Sequence, residues 1–346
     1  MLISELAMCR PDPKELRRAW WRIRGKALVI ATSSLVAYLG LLFVAHGPLL
    51  ALPLAGLLVL CAVAASTCVM HDANHGSFAK TAWVNRGAAY TADLLGASSL
   101  LWRFKHNSLH HGNTNVEGVD TDIEQLPFAR LSPSQPWKRW HRYQHIYMWG
   151  LYGFLTVQWF VYSDFATLVT RHVGSQPLRR APRRRDVARL FAGKGAHLAW
   201  ALAIPMLFHA WWVVLAFYLA CSWLVGWFLA VFFQLAHCVD NVAFTEPAAL
   251  RRGDDFAAHQ LLTTSDVACR TPIVGPAIGW LMGGLHHQVE HHLAPAVPHT
   301  AYAAMARRVR AVCIRDGVVY HVHTNIWTAL RAHTRWLRAM GVAPAA

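Results

Sequence analysis

Residues Leu49 to His75 read LLALPLAGLLVLCAVAASTCVMHDANH, an uninterrupted apolar segment that ends in two histidines. Its apolar part, residues 49–70, is long enough to cross a bilayer as a helix, which needs about 20 residues. His71 lies four residues before His75, so a helix that continues beyond the membrane places both imidazoles on one face. Neutral imidazole is the side chain that most often binds metal ions. The stretch therefore predicts a membrane helix that carries two metal ligands at one end.

Two further histidine clusters follow, with the same spacing of three or four residues. We call the three clusters box one (71–75), box two (106–111) and box three (288–292). Their seven histidines are His71, His75, His106, His110, His111, His291 and His292. A single catalytic zinc uses about three protein ligands and one open position, so seven histidines favour two metal ions. The i, i+4, i+5 spacing in box two lets one helix serve two neighbouring ions.

Other functions fit these residues less well. An HExxH zinc protease needs glutamate directly after the first histidine as general base, and Asp72 occupies that position. A haem-binding cytochrome would place histidine pairs inside the spans, and a metal transporter would place polar groups there, whereas the boxes lie at the ends of apolar segments. The formal net charge of +15 suggests nucleic-acid binding at first sight. Because the basic residues flank apolar segments, as the positive-inside rule expects, we expect no nucleic-acid partner.

Composition and the remaining apolar segments predict an all-α integral membrane protein. The chain has 346 residues, is 55% hydrophobic and has a mean hydropathy of +0.26. We expect two transmembrane hairpins below a cytoplasmic helical cap that holds the metal site, with spans at about residues 27–45, 49–70, 196–209 and 211–236. Basic residues before the first span place the amphipathic segment 1–26, both termini and the boxes in the cytoplasm. Residues 239–275 are expected to form a polar cytoplasmic loop.

The boxes resemble the H-x(3-4)-H, H-x(2-3)-HH and [HQ]-xx-HH motifs of the membrane fatty acid desaturase family. The resemblance also includes Trp102-Arg103-Phe104-Lys105 before box two, Asn115 and Asp120-Thr121-Asp122 after it, residues 149–154, and Gly283-Gly284-Leu285 before box three. It covers the chain from about Glu15 to the last helix and implies one desaturase domain over residues 27–346. Gln288 at the start of box three resembles the front-end enzymes, which implies a bacterial acyl-lipid or acyl-CoA desaturase related to them.

This resemblance implies a reaction, a metal and a ligand set. The implied reaction is the O2-dependent insertion of a cis double bond into a fatty acyl chain by two iron ions; a hydroxylase, a ketolase and an acetylenase on the same scaffold remain open. The implied ligands are the seven box histidines together with Gln288 and His237. The acyl carrier is CoA, ACP or a lipid, and the protein is expected in a bacterial inner membrane. Because the printed sequence has no His-Pro-Gly-Gly haem motif, we expect electrons from a separate donor such as a ferredoxin or a cytochrome b5-type protein.

Some polar residues near the boxes are expected to support them. Asp72 and Asn74 are candidates to orient the ligands of box one from a second layer. His299 is a candidate to hydrogen-bond to the site or to the substrate head group. His141 and His145 are four residues apart but are expected at the surface or at lipid head groups.

Two charged stretches have more than one interpretation. The acidic residues Asp120, Asp122 and Glu124 either orient histidines, bind a basic partner or belong to a solvated loop. The arginine-rich stretch 171–194 fits the positive-inside rule and contact with anionic lipids. The same stretch also fits docking of an acidic carrier or electron donor.

Overall fold

The architecture is helical almost throughout, in a computed structural model that describes residues 5–6, 8–246 and 254–344. The strands among these residues are two residues long and form two small sheets, β1 His172–Val173 antiparallel to β2 Gln176–Pro177, and β3 Asp266–Val267 parallel to β4 Val322–His323. The prediction of an all-α protein is confirmed for this part of the chain.

Seventeen α-helices are defined in the described residues. They are α1 Pro13–Phe43, α2 Pro48–Ala64, α3 His71–His75, α4 Ala82–Ala89, α5 Thr91–Leu94, α6 Ser99–Arg103, α7 Gln144–Leu151, α8 Leu155–Gln158, α9 Asp164–Thr170, α10 Arg184–Leu198, α11 Ile204–Met206, α12 Trp211–His237, α13 Asp254–Thr263, α14 Val274–Leu281, α15 Gln288–Leu293, α16 Tyr302–Arg315 and α17 Ile326–Met340. Four segments are π-helical, Ala65–Met70, Phe104–His110, Trp159–Ser163 and Ala199–Ala203, and three are 3₁₀-helical, Arg139–Tyr143, Tyr152–Phe154 and His299–Ala301.

Among the described residues, three helical segments are long and apolar enough to cross a membrane: Pro13–Phe43, Pro48–His75 and Trp211–His237. The helix Pro13–Phe43 differs from the expectation of an amphipathic segment 1–26 followed by a span that starts at residue 27. Instead, α1 runs unbroken from Pro13, where the Asp12 carboxylate accepts hydrogen bonds from the N–H groups of Lys14 and Glu15. Proline at the first helical position and an aspartate cap both favour a helix start. The basic, tryptophan-rich residues therefore form the first turns of the same helix that carries the apolar segment.

The segment expected as the third span, residues 196–209, belongs to a helix that starts further upstream. Residues 184–206 are helical without a break, through α10, the π-helical turn Ala199–Ala203 and α11. This helix begins with charged residues, and it is not one of the three long apolar segments. Four spans are therefore not established, although α11 does turn back directly into the apolar helix α12, as expected for a hairpin.

Helices on one side of the apolar segments form a folded layer around boxes two and three. The stretch 239–275, expected to be a polar loop, contains α13 and β3, so that expectation was wrong for those residues. Leu261 of α13, Val289 of α15 and Met305 of α16 belong to one buried apolar core. The sequence missed this layer because α13 is too short and too mixed in composition to show a periodic pattern.

Two adjacent glycines bring the approach to box three against the end of the second apolar helix. Gly283 and Gly284 have φ values of +59° and +80°, a region that residues with a Cβ rarely adopt. A Cβ at Gly283 would lie 2.5 Å from the carbonyl oxygen of Thr67. A Cβ at Gly284 would lie 2.6 Å from the Cβ of His299. Glycine therefore permits the close contact that places box three beside box one.

Candidate metal centre

The structure brings all nine predicted metal ligands to one buried region. Box one lies at the end of the second apolar helix, where a π-helical turn precedes α3. Box two occupies the π-helix Phe104–His110 and the residue after it, and box three forms α15. The ninth side chain, His237, is the last residue of α12. Eight of the nine residues are buried and His75 is half-buried, so the site is closed on most sides.

The histidines separate into two groups. In what we call the first histidine group, His71, His75, His106 and His291, the candidate ligand atoms all lie within 4.8 Å of one another. The second histidine group is His110, His237 and His292, with the same limit. His111 forms a further cluster with His291 and His292, so it stands between the two groups. Box two thus contributes a histidine to each group, and its His106 and His110 also form a cluster with Asp122.

Unpaired ring nitrogens show that this donor set suits metal ions. The Nε2 atoms of His71, His75, His291 and His292 are buried and have no hydrogen-bond partner within the described ranges of the chain. The Nε2 atoms of His106 and His111 face each other at 3.2 Å. Buried polar atoms are nearly always hydrogen-bonded in folded proteins, so the unpaired nitrogens of His71, His75, His291 and His292 lack a partner that a cation would supply. An all-imidazole set suits iron, zinc, copper or nickel.

The opposite ring nitrogens are held in place by other side chains. The Nδ1 atom of His110 lies 3.0 Å from the Asp120 carboxylate, and the Nδ1 atom of His291 lies 3.0 Å from the Tyr302 hydroxyl. The Nδ1 atom of His292 lies 2.9 Å from Oε1, the side-chain amide oxygen of Gln260. Contacts of this kind fix the orientation of the imidazole and the nitrogen that is free to bind metal. In each of the three rings, Nε2 is the nitrogen left free.

Box one is supported through Asp72. One carboxylate oxygen of Asp72 lies 3.7 Å from His71 Nδ1, and the other lies 3.0 Å from His299 Nδ1 and accepts a hydrogen bond from the His299 N–H. Asn74 accepts a hydrogen bond from Arg103 and donates one to the Met70 carbonyl. Asp72 thus ties box one to the segment after box three. The expectation of a hydrogen bond from His299 agrees with this geometry, but Asp72 forms no hydrogen bond with His71 in the described part of the chain.

The protonation of the site also suits metal binding. Burial, followed by the neighbouring imidazoles, lowers the pKa of His106, His111, His291 and His292 well below 6.5. These rings are neutral near pH 7, which is the form that binds metal. His110 is different: burial alone would lower its pKa, but the Asp120 and Asp122 carboxylates together more than offset this effect and raise it.

Gln288 lies beside the second histidine group, at a small cavity that His106 of the first group also lines. Its side chain is buried, and its Oε1 atom has no hydrogen-bond partner. Together with His110, His237 and Asp122 it lines a cavity of about 20 Å³. A cavity needs about 10–15 Å³ to hold one water molecule. The cavity therefore has room for one small molecule next to Gln288.

The family model for fatty acid desaturases matches residues 47–324. The chain belongs to the fatty acid desaturase family. This result confirms the resemblance that the three boxes indicated, and with it the prediction of an oxidoreductase that desaturates fatty acyl chains.

Curated relatives of this desaturase carry specific names. It is 36% identical over 279 residues to the sn-1 linoleoyl-lipid 6-desaturase of Arthrospira platensis, an alignment that covers 80% of this chain and 74% of the relative. It is 34% identical over 285 residues to the enzyme of the same name from Synechocystis sp., covering 80% and 76%. It is 36% identical over 283 residues to the acyl-lipid (8-3)-desaturase of Physcomitrium patens, covering 79% of this chain but 57% of that protein.

A large apolar cavity in the desaturase lies between the long helices and extends to Met70, the residue before box one. Its volume is about 560 Å³, within the range of ligand-binding pockets. At one end it is lined by residues 45–48, which connect α1 to α2, and at the other by Met70, the residue before His71. The cavity therefore follows the second apolar helix along most of its length and reaches the start of box one.

Several supporting residues were missed by the sequence analysis. Gln260 and Thr114 both contact His292 Nδ1, and Tyr302 contacts His291. Gln260 lies in the stretch that was expected to be a loop, and a lone polar residue far from the boxes gives no local signal. His141 was expected at the surface but is fully buried, with Nε2 2.9 Å from the Pro127 carbonyl. That expectation was wrong, and His141 has a structural role.

Proposed function

We propose that this desaturase inserts a cis double bond into the acyl chain of a membrane lipid, using two iron ions, O2 and electrons from a separate protein. The observation that carries the proposal is the position of the apolar cavity, which runs between the apolar helices and extends to Met70, the residue before His71. Iron ions, when bound, supply the O2-dependent oxidation that side chains alone cannot perform. The reaction balances when O2, two electrons, two protons and the two hydrogens removed from the acyl chain yield two water molecules.

The two histidine groups would hold one ion each. The first ion would be bound by His71, His75, His106 and His291, and the second by His110, His237 and His292. His111 is placed to bind either ion. Gln288 would bind the second ion directly or through a water molecule in the adjacent cavity. Asp120, Tyr302 and Gln260 would keep the imidazoles of His110, His291 and His292 oriented toward the ions.

The apolar cavity would hold the acyl chain extended and dry. Its walls are formed by α1, α2, α12 and residues around Phe160 and Trp200. Apolar walls bind an alkyl chain through the hydrophobic effect and exclude water from the carbons that react. A lipid substrate is favoured over acyl-CoA or acyl-ACP because the cavity lies among helices apolar enough to cross a membrane, and because the named relatives are acyl-lipid desaturases. A hydroxylase, ketolase or acetylenase would use the same arrangement and give different products.

An arginine-rich surface would receive the electron donor. The exposed arginines between residues 171 and 189 are Arg171, Arg179, Arg180, Arg183, Arg184, Arg185 and Arg189. None of their guanidinium groups forms an ion pair with a carboxylate in the described part of the chain. The hairpin of β1 and β2, which precedes this surface, contacts Glu124 through Ser175. Asp122, two residues before Glu124, lies 3.5 Å from His110. An acidic ferredoxin or a cytochrome b5-type protein bound there would stand near the second histidine group.

The membrane arrangement follows from the same charges. We propose that the boxes, the arginine-rich surface and both termini face the cytoplasm of a bacterial inner membrane, with α1, α2, α12 and the helix that continues through α11 as spans. The basic residues in the first turns of α1 favour the cytoplasmic side. The desaturase domain would cover residues 27–346, as expected from the resemblance.

One experiment tests the metal and the reaction together. The desaturase is purified in mild detergent, its metals and optical spectrum are measured, and fatty acids are analysed from a bacterial host that expresses it. We expect two irons per chain, no haem band and a new unsaturated product. His110→Ala should lose iron and product, whereas His172→Ala, which changes an exposed histidine on β1, should keep both. One zinc without iron, a haem band, or an oxygenated product would contradict the proposal.

A further inference from the structure

A second type of metal-binding group lies beside box three, outside the histidine groups. Asp266 of β3, His287 and Glu290 of α15 place one candidate ligand atom each within 4.8 Å of one another. His287 Nδ1 lies 3.5 Å from Asp266 Oδ2 and 3.9 Å from Glu290 Oε2. Two ligands that each lie about 2.1 Å from one tetrahedral zinc ion are separated by about 3.4 Å. The spacing of the three side chains therefore fits a single ion.

The two carboxylates are buried without a cation. Asp266 is 3% exposed and Glu290 is 0% exposed. No lysine or arginine lies within ion-pair distance of either carboxylate across residues 8–246 and 254–344. Two ionised carboxylates that share a buried site repel each other, so a proton or a cation must compensate one of the charges.

Hydrogen bonds in this region leave atoms without partners. The Tyr320 hydroxyl lies 2.5 Å from Asp266 Oδ2 and 3.1 Å from Glu290 Oε1, but it has only one hydrogen to donate. The buried atoms Glu290 Oε2 and His287 Nδ1 have no hydrogen-bond partner among the residues that the structure describes. These two atoms and Asp266 Oδ2 are the three that would meet at an ion. The other Asp266 oxygen accepts a hydrogen bond from the Val289 N–H at 3.0 Å, which holds that carboxylate in place.

We propose that Asp266, His287 and Glu290 bind a divalent transition-metal ion, most simply zinc, that is separate from the two ions of the histidine groups. One imidazole and two carboxylates form a mixed nitrogen and oxygen set that zinc accepts. The ion would join β3 to the first turn of α15 and so fix the backbone on which His291 and His292 stand. Its role is structural support of box three. The proposal does not depend on the identity of the ions in the histidine groups.

The test is zinc binding to the intact, iron-loaded desaturase in detergent, with zinc and iron measured on the same sample after equilibrium dialysis against Zn²⁺ alone. We expect wild-type protein to retain one zinc per chain beyond its iron. His287→Ala should weaken zinc binding by at least about tenfold, the loss that even indirect changes cause at metal sites. His321→Ala is the matched control, because this neighbouring, half-buried histidine lies outside the three-residue group.

Other outcomes separate the alternatives. If His287→Ala does not fold, Glu290→Gln replaces it, because glutamine keeps the size of the side chain and removes one charge. Equal zinc in wild type and variants, or no zinc beyond the iron sites, overturns the proposal. An infrared band of a protonated carboxylic acid that disappears in Glu290→Gln also overturns it, since the carboxylates then share a proton. If the protein retains zinc but no iron, the result would support the site at Asp266, His287 and Glu290 and would contradict the di-iron proposal.

Discussion

The Nδ1 atom of His110 lies 3.0 Å from Oδ2 of Asp120, a carboxylate with no exposed surface. The same Asp120 oxygen accepts a hydrogen bond from the Asn115 N–H, and the other oxygen accepts one from the Asp122 N–H. The backbone of the loop after box two thus holds the carboxylate, and the carboxylate holds the imidazole. His110 is the only box two histidine in the second histidine group, so the orientation of its ring bears directly on that ion.

Asp120→Asn should reduce iron binding without removing a ligand. The amide keeps the size of the side chain but loses the charge that stabilises the His110 ring, and changes of this kind cost about 10–100-fold in metal affinity or activity. We expect lower iron content and lower product yield, both measured on purified protein and on lipids from the expressing host. Glu124→Gln is the control, because Glu124 contacts Ser175 on the exposed hairpin. Equal iron in Asp120→Asn and wild type would show that the carboxylate does not support the ligand.

Gly283→Ala should destabilise the protein more than Gly317→Ala. Both glycines have positive φ, +59° and +67°, and an alanine in that region costs about 1–2 kcal/mol. Only at Gly283 does the new methyl group meet another chain segment, 2.5 Å from the Thr67 carbonyl, whereas nothing lies within 4 Å at Gly317. Overpacking adds about 1–3 kcal/mol. Thermal unfolding in detergent should show the larger loss for Gly283→Ala; equal losses would mean that the contact with Thr67 relaxes at no cost.

Ala62→Phe should shorten the acyl chains that the desaturase accepts. Ala62 lines the apolar cavity between its two ends, so a phenyl ring there would occupy space needed by the far part of a long chain. We expect the product profile to shift toward shorter acyl chains while the iron content stays at the wild-type level. Leu52→Phe is the control, since Leu52 lies on the same helix, is 63% exposed and does not line the cavity. An unchanged profile in Ala62→Phe would place the acyl chain elsewhere.

Acid should destabilise the desaturase partly through His333. This buried ring lies 2.7 Å from the Tyr152 hydroxyl and 2.6 Å from the Cys238 carbonyl, and burial lowers its pKa from 6.5 to about 4. Between pH 6.5 and about pH 4, His333 therefore binds a proton in the unfolded chain but not in the folded chain. The contribution of His333 to the free energy of unfolding is intact above pH 6.5. It is lost as the pH falls toward 4, at up to about 1.4 kcal/mol per pH unit.

His333→Gln should flatten that part of the pH dependence. Glutamine retains hydrogen-bonding groups but does not titrate, so unfolding temperatures measured from pH 7 to pH 4.5 should fall less steeply than in wild type. His172→Ala, at an exposed position, should keep the wild-type slope. Parallel slopes in wild type and His333→Gln would show that His333 is not protonated on unfolding in this range.

The boxes themselves could be predicted because their signals are local. His71 and His75, or His106, His110 and His111, stand at helical spacing within a few residues, and imidazoles at that density are typical of a metal site. The apolar helices α2 and α12 could also be predicted from local sequence, because a run of about 20 consecutive apolar residues is typical of a helix that crosses a membrane. The start of helix α1 was misjudged, because the residues change from charged to apolar near residue 27 while the backbone stays helical from Pro13 to Phe43.

The chain by itself determined that it is helical, that it carries apolar segments long enough to cross a membrane, and that histidines stand at fixed spacings along it. Only the tertiary structure decided which histidines share a group, because ring positions depend on contacts between segments more than 100 residues apart. It also decided that Asp120, Tyr302 and Gln260 hold the rings, and that Asp266 meets Glu290 beside box three. Such pairings follow from packing of distant surfaces, and no local pattern of residue types encodes them.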